Sequence, residues 1–251
     1  LNKNSNLFQD SVQVFTLPSK MFIKKIQLIK LKGLEKLTII QCNYDQSHYQ
    51  RRLFDFLSIH FPNSLTNSVE KRQAEFLAGR HSANLALRTK GIHEQTIAVG
   101  QDRCPIWPEN ISASITHTHD SAICVAAYKK NYHQLGIDLE CWLSHKIIEE
   151  IKPSVIRAQE EKIIKKSLLG FDKAFTLVFS AKESLFKSLY PDVGYYFDFK
   201  AAAITSISHD KKMFQLILKQ DLNQSLVSGM CFSGHYDFDD KTVLTLITIK
   251  K

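Results

Sequence analysis

Apolar and polar positions alternate along several stretches of the chain in the way that β-strands require. Residues 21–43 cluster β-branched and aliphatic side chains on either side of Gly33, which predicts two strands joined by a turn. Residues 113–130 and 133–142 are also strand-like, the first with a break near Asp120. Three further strand-like stretches close the chain: residues 198–207, 213–220 and 241–250.

Helical periodicity lies between these strands. Residues 47–61 show it up to a following proline, and residues 67–91 carry the strongest helical pattern of the first half. Asn67 and Glu70 resemble a capping box at the start of that helix, and Gly91 supplies a C-terminal stop.

The second half contains helical segments of its own. Residues 145–168 are helical in pieces, and residues 172–190 predict one long helix that Pro191 ends. Strands and helices are therefore mixed along the whole chain, and the closing strands have an antiparallel character. We predict an α+β fold of two subdomains, residues 1–134 and 135–251.

Composition narrows the class of protein. A chain of 251 residues, 44% hydrophobic and 23% charged, is long enough for a substantial core and ordinary for a globular protein. Thirty-three Lys and Arg residues against 25 Asp and Glu give a net charge of +8. This charge favours anionic partners such as nucleic acid, phosphorylated metabolites or an acidic protein.

Cysteine usage and the start of the chain indicate a cytoplasmic protein. The five cysteines are scattered and form no C-x-x-C pair, which is typical of a reducing compartment. No uninterrupted apolar segment of the signal-peptide type follows the first ten residues. Residues 21–40 are apolar but carry lysines too often for a membrane span.

The first chemically suggestive segment is GIDLE, residues 136–140. In a strand, Asp138 and Glu140 project from one face, about 7 Å apart along the chain, where they can share a hard cation. Gly136 would let a ligand or a neighbouring segment approach closely. The alternative is a solvated edge strand without a ligand.

The second segment is FSAKESLFKSLYP, residues 179–191. As a helix, it places Lys182 in the middle of an apolar stripe and Glu183 and Lys187 together on the flank, at a spacing suited to an ion pair. In the functional interpretation, Glu183 binds a metal ion or accepts a proton, and the lysines bind a phosphate. The structural alternative is a capping box of Ser180 and Glu183 with a snorkelling lysine.

The first half also places a charged residue, here an arginine, on an apolar face of a predicted helix. Arg80 shares an apolar helical face, and Arg72 lies two turns before it on the same side. Gly79 costs about 1 kcal/mol in a helix interior, which indicates a packing or ligand requirement. The arginine fork suits phosphate, although a structural ion pair with Glu75 or another acid is an alternative.

Two histidines lie in the segment SITHTH. His117 and His119 would share a strand face, but no third ligand at a recognisable spacing supports a zinc site. A His117 that donates to phosphate and a structural histidine both stay open.

Together these residues resemble the 4′-phosphopantetheinyl transferases of the Sfp-type group, in the enterobactin synthetase component D branch. The resemblance covers about residues 68–191. Four segments carry it, in this order: KRQAEFLAGRHSANLAL, PIWPENISASITHT, GIDLE and FSAKESLFKSLYP.

The resemblance implies a pseudo-dimeric fold of two similar subdomains with the active site at their interface. It implies an enzyme that moves the phosphopantetheine arm of coenzyme A to a serine of an acyl, peptidyl or aryl carrier protein. Adenosine 3′,5′-bisphosphate leaves and Mg²⁺ is required. Siderophore or other nonribosomal peptide biosynthesis and a monomer follow from the same resemblance. No nucleic-acid partner is expected, because the sequence shows neither basic residues interleaved with stacking aromatics nor a recognition helix. No membrane span is expected either.

The matching positions in the second half are acids and lysines. Asp138, Glu140 and Glu183 match the magnesium-binding acids of the family. Glu183 also matches the base that deprotonates the carrier serine. Lys182 and Lys187 match residues near the coenzyme A phosphates, and Lys187 together with Glu183 forms the predicted catalytic pair.

The matching positions in the first half are mostly cationic. Arg72, Arg80 and His117 would hold the 3′-phosphate and the pyrophosphate of coenzyme A, with Arg103 and Thr116 as further candidates. Two other functions compete with this hypothesis. A Mg²⁺-dependent phosphohydrolase would use the same acids, and a nucleic-acid-binding protein would use the basic charge.

Overall fold

The computed structural model describes residues 8–11, 22–93 and 96–250. Residues 1–7, from the segment for which the sequence predicts no signal peptide, lie outside the described residues, as does the first residue of the predicted strand pair. The chain divides into two compact units, Leu1–His133 and Gln134–Lys251. In the described ranges, no helix combines the length and apolar character that crossing a bilayer demands.

The first unit is built on an antiparallel sheet of five strands. Its elements, in chain order, are β1 (Phe8–Ser11), β2 (Ile23–Leu31), β3 (Thr38–Tyr44), α1 (Leu53–Phe56), α2 (Glu70–Arg88), β4 (Ala98–Val99), β5 (Pro105–Ile106), β6 (Ile111–His117) and β7 (Ser121–Tyr128). The strand order is β1-β2-β3-β7-β6, and β4 pairs with β5 in a separate two-stranded ribbon. Gly33, at φ +83°, forms the turn between β2 and β3.

Helix α2 packs on this sheet and forms the core of the first unit. Leu77 and Ala78 are fully buried on its inner face, opposite Ile40 and Ile111 of the sheet. Each large apolar side chain buried in this way contributes about 1.5–3 kcal/mol. At Gly79 a Cβ would lie 3.2 Å from a methyl of Ile115 on β6, so this glycine has a packing reason.

The second unit repeats the plan of a long helix on a five-stranded antiparallel sheet. Its elements are β8 (Gln134–Cys141), α3 (His145–Val155), α4 (Ala158–Lys165), α5 (Phe171–Val193), β9 (Ala202–Ser208), β10 (Met213–Leu218), β11 (Cys231–Phe238) and β12 (Thr242–Ile249). The strand order is β8-β12-β11-β10-β9, and a 3₁₀ turn, Phe199–Ala201, precedes β9. The predicted α+β class is confirmed.

Helix α5 lies against β8 with almost no side-chain layer between them. A Cβ at Gly136 would overlap the carbonyl oxygen of Ser184. Ser184 Oγ donates to Thr245 O at 3.1 Å, and Ser180 Oγ lies 2.9 Å from Thr245 Oγ1 on β12. The prediction that Gly136 permits close approach is confirmed, and the approaching segment is α5.

The predicted helix over residues 47–61 is wrong except for α1. Ser58 adopts φ +53°, and Ile59 N donates to Phe54 O at 2.8 Å, which closes the helix with a left-handed residue. The reversal lets Phe54 and Phe61 meet edge to face with ring centroids 4.9 Å apart. The apolar spacing here serves an aromatic cluster instead of a continuous helix.

Two predicted helix boundaries are also wrong, whereas Gly91, at φ +75°, ends the turn that follows α2 as predicted. In this described stretch, α2 begins after Val69 and has no side-chain cap, so Asn67 and Glu70 form no capping box. Pro191 lies inside α5, which continues to Val193. Proline removes one N–H donor, but the helix ends only where Gly194 takes the left-handed conformation at φ +76°.

Candidate functional site

Four ionisable side chains converge on the contact between β8 and α5. Asp138 and Glu140 extend from one face of β8, and Glu183 and Lys187 lie one helical turn apart on α5. We call these four residues the acidic cluster. The alternation of β8 and the i,i+4 spacing on α5 bring the two separated segments together, since Lys187 Nζ of α5 lies 2.6 Å from Asp138 Oδ1 of β8.

Asp138 is the most tightly held member of the acidic cluster. Its Oδ1 lies 2.6 Å from Lys187 Nζ, and its Oδ2 accepts a hydrogen bond from Ser180 Oγ at 2.8 Å. Lys187 Nζ also donates to Ile137 O at 3.3 Å. Burial opposes the charge on Lys187, but Asp138 and the neighbouring glutamates outweigh it and raise the pKa of this ammonium.

Glu140 and Glu183 are the open members of the acidic cluster. Within the described ranges, neither carboxylate has a hydrogen-bond or ion-pair partner. Burial raises the pKa of Glu140 well above its usual range, and Asp138 raises it further. The pKa of Glu183 is raised by the same two causes, while Lys187 opposes both shifts. A cation placed beside these carboxylates would relieve that repulsion.

The carboxylates of the acidic cluster are of the chemical type that binds hard divalent cations. Three carboxylates offer the oxygen ligands that Mg²⁺ prefers in proteins. In the part of the chain that the structure describes, no three histidine, cysteine or acidic side chains are arranged so that they could hold a metal ion together. The ammonium of Lys187 supplies the positive charge at Asp138 instead.

Lys182 is placed differently from the sequence-based expectation. Its side chain is 2% exposed, and its Nζ lies 2.8 Å from Oε1 of Glu160, whose side chain is 1% exposed. Burial lowers the pKa of Lys182, and Glu160 opposes that shift. The ammonium therefore points at Glu160 in the interior of the second unit and not toward a phosphate in solvent.

A small, open aromatic cleft lies beside Glu183. Its apolar walls are Phe186, Tyr196, Phe197 and Phe199. The rings of Phe186 and Phe197 pack with centroids 5.0 Å apart. Such a surface suits a slender, largely apolar ligand that ends near the acidic cluster.

The first unit holds a cationic cluster, defined by Arg72, Arg80 and His117. Arg72 Nη1 lies 3.1 Å from His117 Nε2. Since a guanidinium only donates, Nε2 of His117 accepts. Glu75 Oε2 lies 3.7 Å from Arg72 Nη1 and 3.9 Å from His117 Nδ1, so one carboxylate orients both side chains.

Arg80 is the buried member of the cationic cluster. It is 6% exposed, and its guanidinium stacks over the ring of Phe76 at 4.8 Å. Its Nε has no hydrogen-bond partner, and no acid pairs with it within the described ranges. Burial lowers the pKa of Arg80 to about 10. Glu75 therefore pairs with Arg72, and the structural alternative of an ion pair between Glu75 and Arg80 is not observed in the described ranges.

The two weaker candidates lie near the cationic cluster in the chain. Thr116 is buried on β6, directly before His117. Arg103 is exposed in the loop between β4 and β5, with φ +64°. The next residue, Cys104, lies close enough to Arg80 for the guanidinium to oppose the rise that burial causes in its thiol pKa.

Three further residues orient the predicted ones: Ser180 and Glu75, to which the sequence analysis gave other partners, and Glu160, which it missed. Ser180 holds Asp138, Glu75 orients Arg72 and His117, and Glu160 holds Lys182. Ser180 carried a signal, because it lies one turn before Glu183, but the pattern suggested a cap. Glu160 carried no such signal, since it lies in an ordinary stretch of charged residues.

Each of the two units matches a known protein-family model. The model of the 4′-phosphopantetheinyl transferase N-terminal domain matches residues 61–127. The model of the 4′-phosphopantetheinyl transferase superfamily matches residues 134–233.

Individual relatives agree with these matches. Enterobactin synthase component D of Salmonella typhimurium is 35% identical over 166 residues, which are 66% of this chain and 68% of the relative. Its namesake from Escherichia coli is 31% identical over 194 residues, 76% of this chain and 84% of the relative. The 4′-phosphopantetheinyl transferase Npt of Nocardia iowensis is 29% identical over 194 residues, 73% and 85% of the two chains. The chain therefore belongs to the 4′-phosphopantetheinyl transferase superfamily, in the branch that contains enterobactin synthase component D.

Proposed function

We propose that this chain is a Mg²⁺-dependent holo-carrier-protein synthase. It transfers the 4′-phosphopantetheine arm of coenzyme A to a serine of an acyl or peptidyl carrier protein and releases adenosine 3′,5′-bisphosphate. The observation that carries the proposal is the acidic cluster, with two unpartnered carboxylates beside a lysine. The names of the enterobactin synthase relatives favour a carrier protein of siderophore or other nonribosomal peptide synthesis.

Glu183 is the proposed base of the reaction. Its carboxylate has no partner in the described ranges, and its raised pKa improves it as a proton acceptor near neutral pH. The serine oxygen forms a bond to the β-phosphorus of coenzyme A, and the serine proton passes to Glu183. The bond from that phosphorus to the oxygen of the leaving nucleotide breaks.

The other members of the acidic cluster hold charges in place for that step. Lys187 holds the Asp138 carboxylate at 2.6 Å and keeps a positive charge beside the glutamates. Mg²⁺, when bound by Asp138, Glu140 and Glu183, would supply positive charge to the pyrophosphate of coenzyme A. We do not include Lys182 among the phosphate ligands, because its three donors are used inside the second unit.

Coenzyme A is recognised through its charges and its arm. Arg80 offers a buried guanidinium with an unused donor to a phosphate, and Arg72 and His117 offer a second, pre-oriented pair. The aromatic cleft beside Glu183 suits the phosphopantetheine arm. An acidic carrier protein would be attracted by the net charge of +8.

The proposed setting is the cytoplasm, where the protein would act as a monomer. All five cysteines are free, which agrees with a reducing compartment.

Intact-mass analysis tests the proposed function. The full chain, with Mg²⁺ and coenzyme A, is expected to add the mass of one phosphopantetheine to nonribosomal-synthetase carrier proteins. A carrier whose acceptor serine is replaced by alanine is the control, and EDTA is expected to abolish the gain. No gain with any carrier would contradict the proposal. Release of free phosphopantetheine without a carrier would favour the phosphohydrolase.

Arg80→Lys is expected to weaken coenzyme A binding by about 10- to 100-fold, because an ammonium cannot reproduce the fork of a buried guanidinium. Titration calorimetry measures the Kd. Arg88→Lys, in the exposed last turn of the same helix, is the matched control and should bind coenzyme A like the parent protein. Equal Kd values for the two variants would remove Arg80 from the phosphate site.

A further inference from the structure

Glu160 and Lys182 form an ion pair in the interior of the second unit. Lys182 Nζ and Glu160 Oε1 lie 2.8 Å apart, and the two side chains are 2% and 1% exposed. Glu160 belongs to α4 and Lys182 to α5, so the pair joins two helices that are separate in sequence.

The hydrogen-bonding capacity of the pair is taken up inside the protein. An ammonium has three N–H donors. Those of Lys182 face Glu160 Oε1, Val155 O at 2.7 Å and Phe199 O at 3.1 Å. Glu160 in turn accepts from Ile204 N through Oε1 and from Arg157 N through Oε2, each at 2.8 Å. No donor of Lys182 is left for a phosphate oxygen.

These bonds tie four segments to one point of α5. Val155 ends α3, Arg157 precedes α4, Phe199 begins the 3₁₀ turn and Ile204 lies in β9. The residue next to Lys182 is Glu183, and Phe199 is a wall of the aromatic cleft. The buried pair therefore connects the cleft wall directly to the helical turn that carries Glu183.

We propose that Glu160 is a positioning residue of the transfer reaction, which acts through Lys182 to hold Glu183 beside the aromatic cleft. This inference rests on the proposed function of the acidic cluster. It gives Lys182 an internal role in place of the expected contact with coenzyme A phosphates.

Three variants test the proposal: Glu160→Gln, Lys182→Met and the double variant. Glutamine keeps an oxygen for Ile204 N, and methionine keeps most of the lysine stem without its charge. For each variant, the melting temperature, the Kd of coenzyme A with Mg²⁺ and the kcat of transfer to a carrier protein are measured. The double variant carries the test if a single variant fails to fold, because it buries no unpaired charge.

The expected results separate binding from turnover. Each single variant lowers the melting temperature, and the double variant regains most of it because both charges are gone. The Kd of coenzyme A stays within about twofold of the parent value, since the charged ends of both side chains are bonded inside the protein and methionine keeps the part of Lys182 that lines the cleft. The kcat stays about tenfold or more below the parent even in the double variant, because the hydrogen bond from Lys182 to Phe199 O is lost and only the ring contact with Phe179 still joins Phe199 to α5.

Two outcomes would overturn the proposal. A Kd about tenfold weaker in both Lys182→Met and the double variant would make Lys182 a phosphate ligand after all. Recovery of kcat together with the melting temperature would leave the pair a purely structural role.

A neighbouring pair on α4 provides the matched control. Lys165 and Glu161 are 2.9 Å apart, but their side chains are 64% and 32% exposed. Glu161→Gln and Lys165→Met should leave all three measurements at parent values. Because the melting temperature and the Kd need no carrier protein, failure of transfer by the parent protein would refute the proposed function separately.

Discussion

Replacing Glu183 by glutamine is expected to lower the kcat of phosphopantetheine transfer by about 10²- to 10⁴-fold. Glutamine has nearly the same shape but cannot accept the serine proton. It also removes one carboxylate from the acidic cluster. Intact-mass kinetics under saturating coenzyme A and carrier protein measure the loss.

The fold of Glu183→Gln should be preserved, because the carboxylate has no internal partner in the described ranges. Removing a charge from the repelling cluster even favours the folded state. Glu149→Gln, in an exposed pair with Lys152 on α3, is the matched control and should turn over normally. A Glu183→Gln protein with parental kcat would exclude Glu183 as the base.

Gly136→Ala is expected to lower the free energy of unfolding by about 3 kcal/mol or more. The added methyl would overlap the carbonyl oxygen of Ser184, and backbone cannot move aside as a side-chain tip can. Helix α5 must therefore shift away from β8. Thermal or urea unfolding of the full chain measures the change.

Gly79→Ala is the comparison for that experiment. Its Cβ would meet only a methyl of Ile115 at 3.2 Å, and alanine gains about 1 kcal/mol of helix propensity over glycine. The two effects offset each other, so we expect a much smaller change than at Gly136. Unfolding curves that coincide for Gly136→Ala and the parent would show that α5 does not depend on this close contact.

Much of the fold was predictable because its elements have strong local periodicity. The β6–β7 hairpin, β8, α2 and most of α5 follow the hydrophobic pattern of the sequence. Strand β11 was missed because its buried positions include Gly234, against which the ring of Phe214 packs. Phe232 and Tyr236 flank this glycine on the buried face, so the glycine interrupts an otherwise regular alternation of apolar and polar residues.

The candidate site shows a different limit. The alternation of Asp138 and Glu140 and the spacing of Glu183 and Lys187 are local properties, so sequence reasoning could identify the acidic cluster. Their roles in catalysis stay predictions. The partner of Lys182 depends on how α4 folds back against α5, and no local pattern at Glu160 contains that information. An apolar stripe that includes a lysine indicates burial of the charge, but not the acid that receives it.

The close contact of α5 with β8 and β12, made through Ser180 and Ser184, has a consequence for engineering this enzyme. Since backbone meets backbone there, the spacing between the carboxylate-bearing strand and helix cannot be tuned by enlarging or shrinking side chains in between. Libraries aimed at new acyl donors would gain most by varying the rings around the open cleft while leaving the underside of the helix untouched.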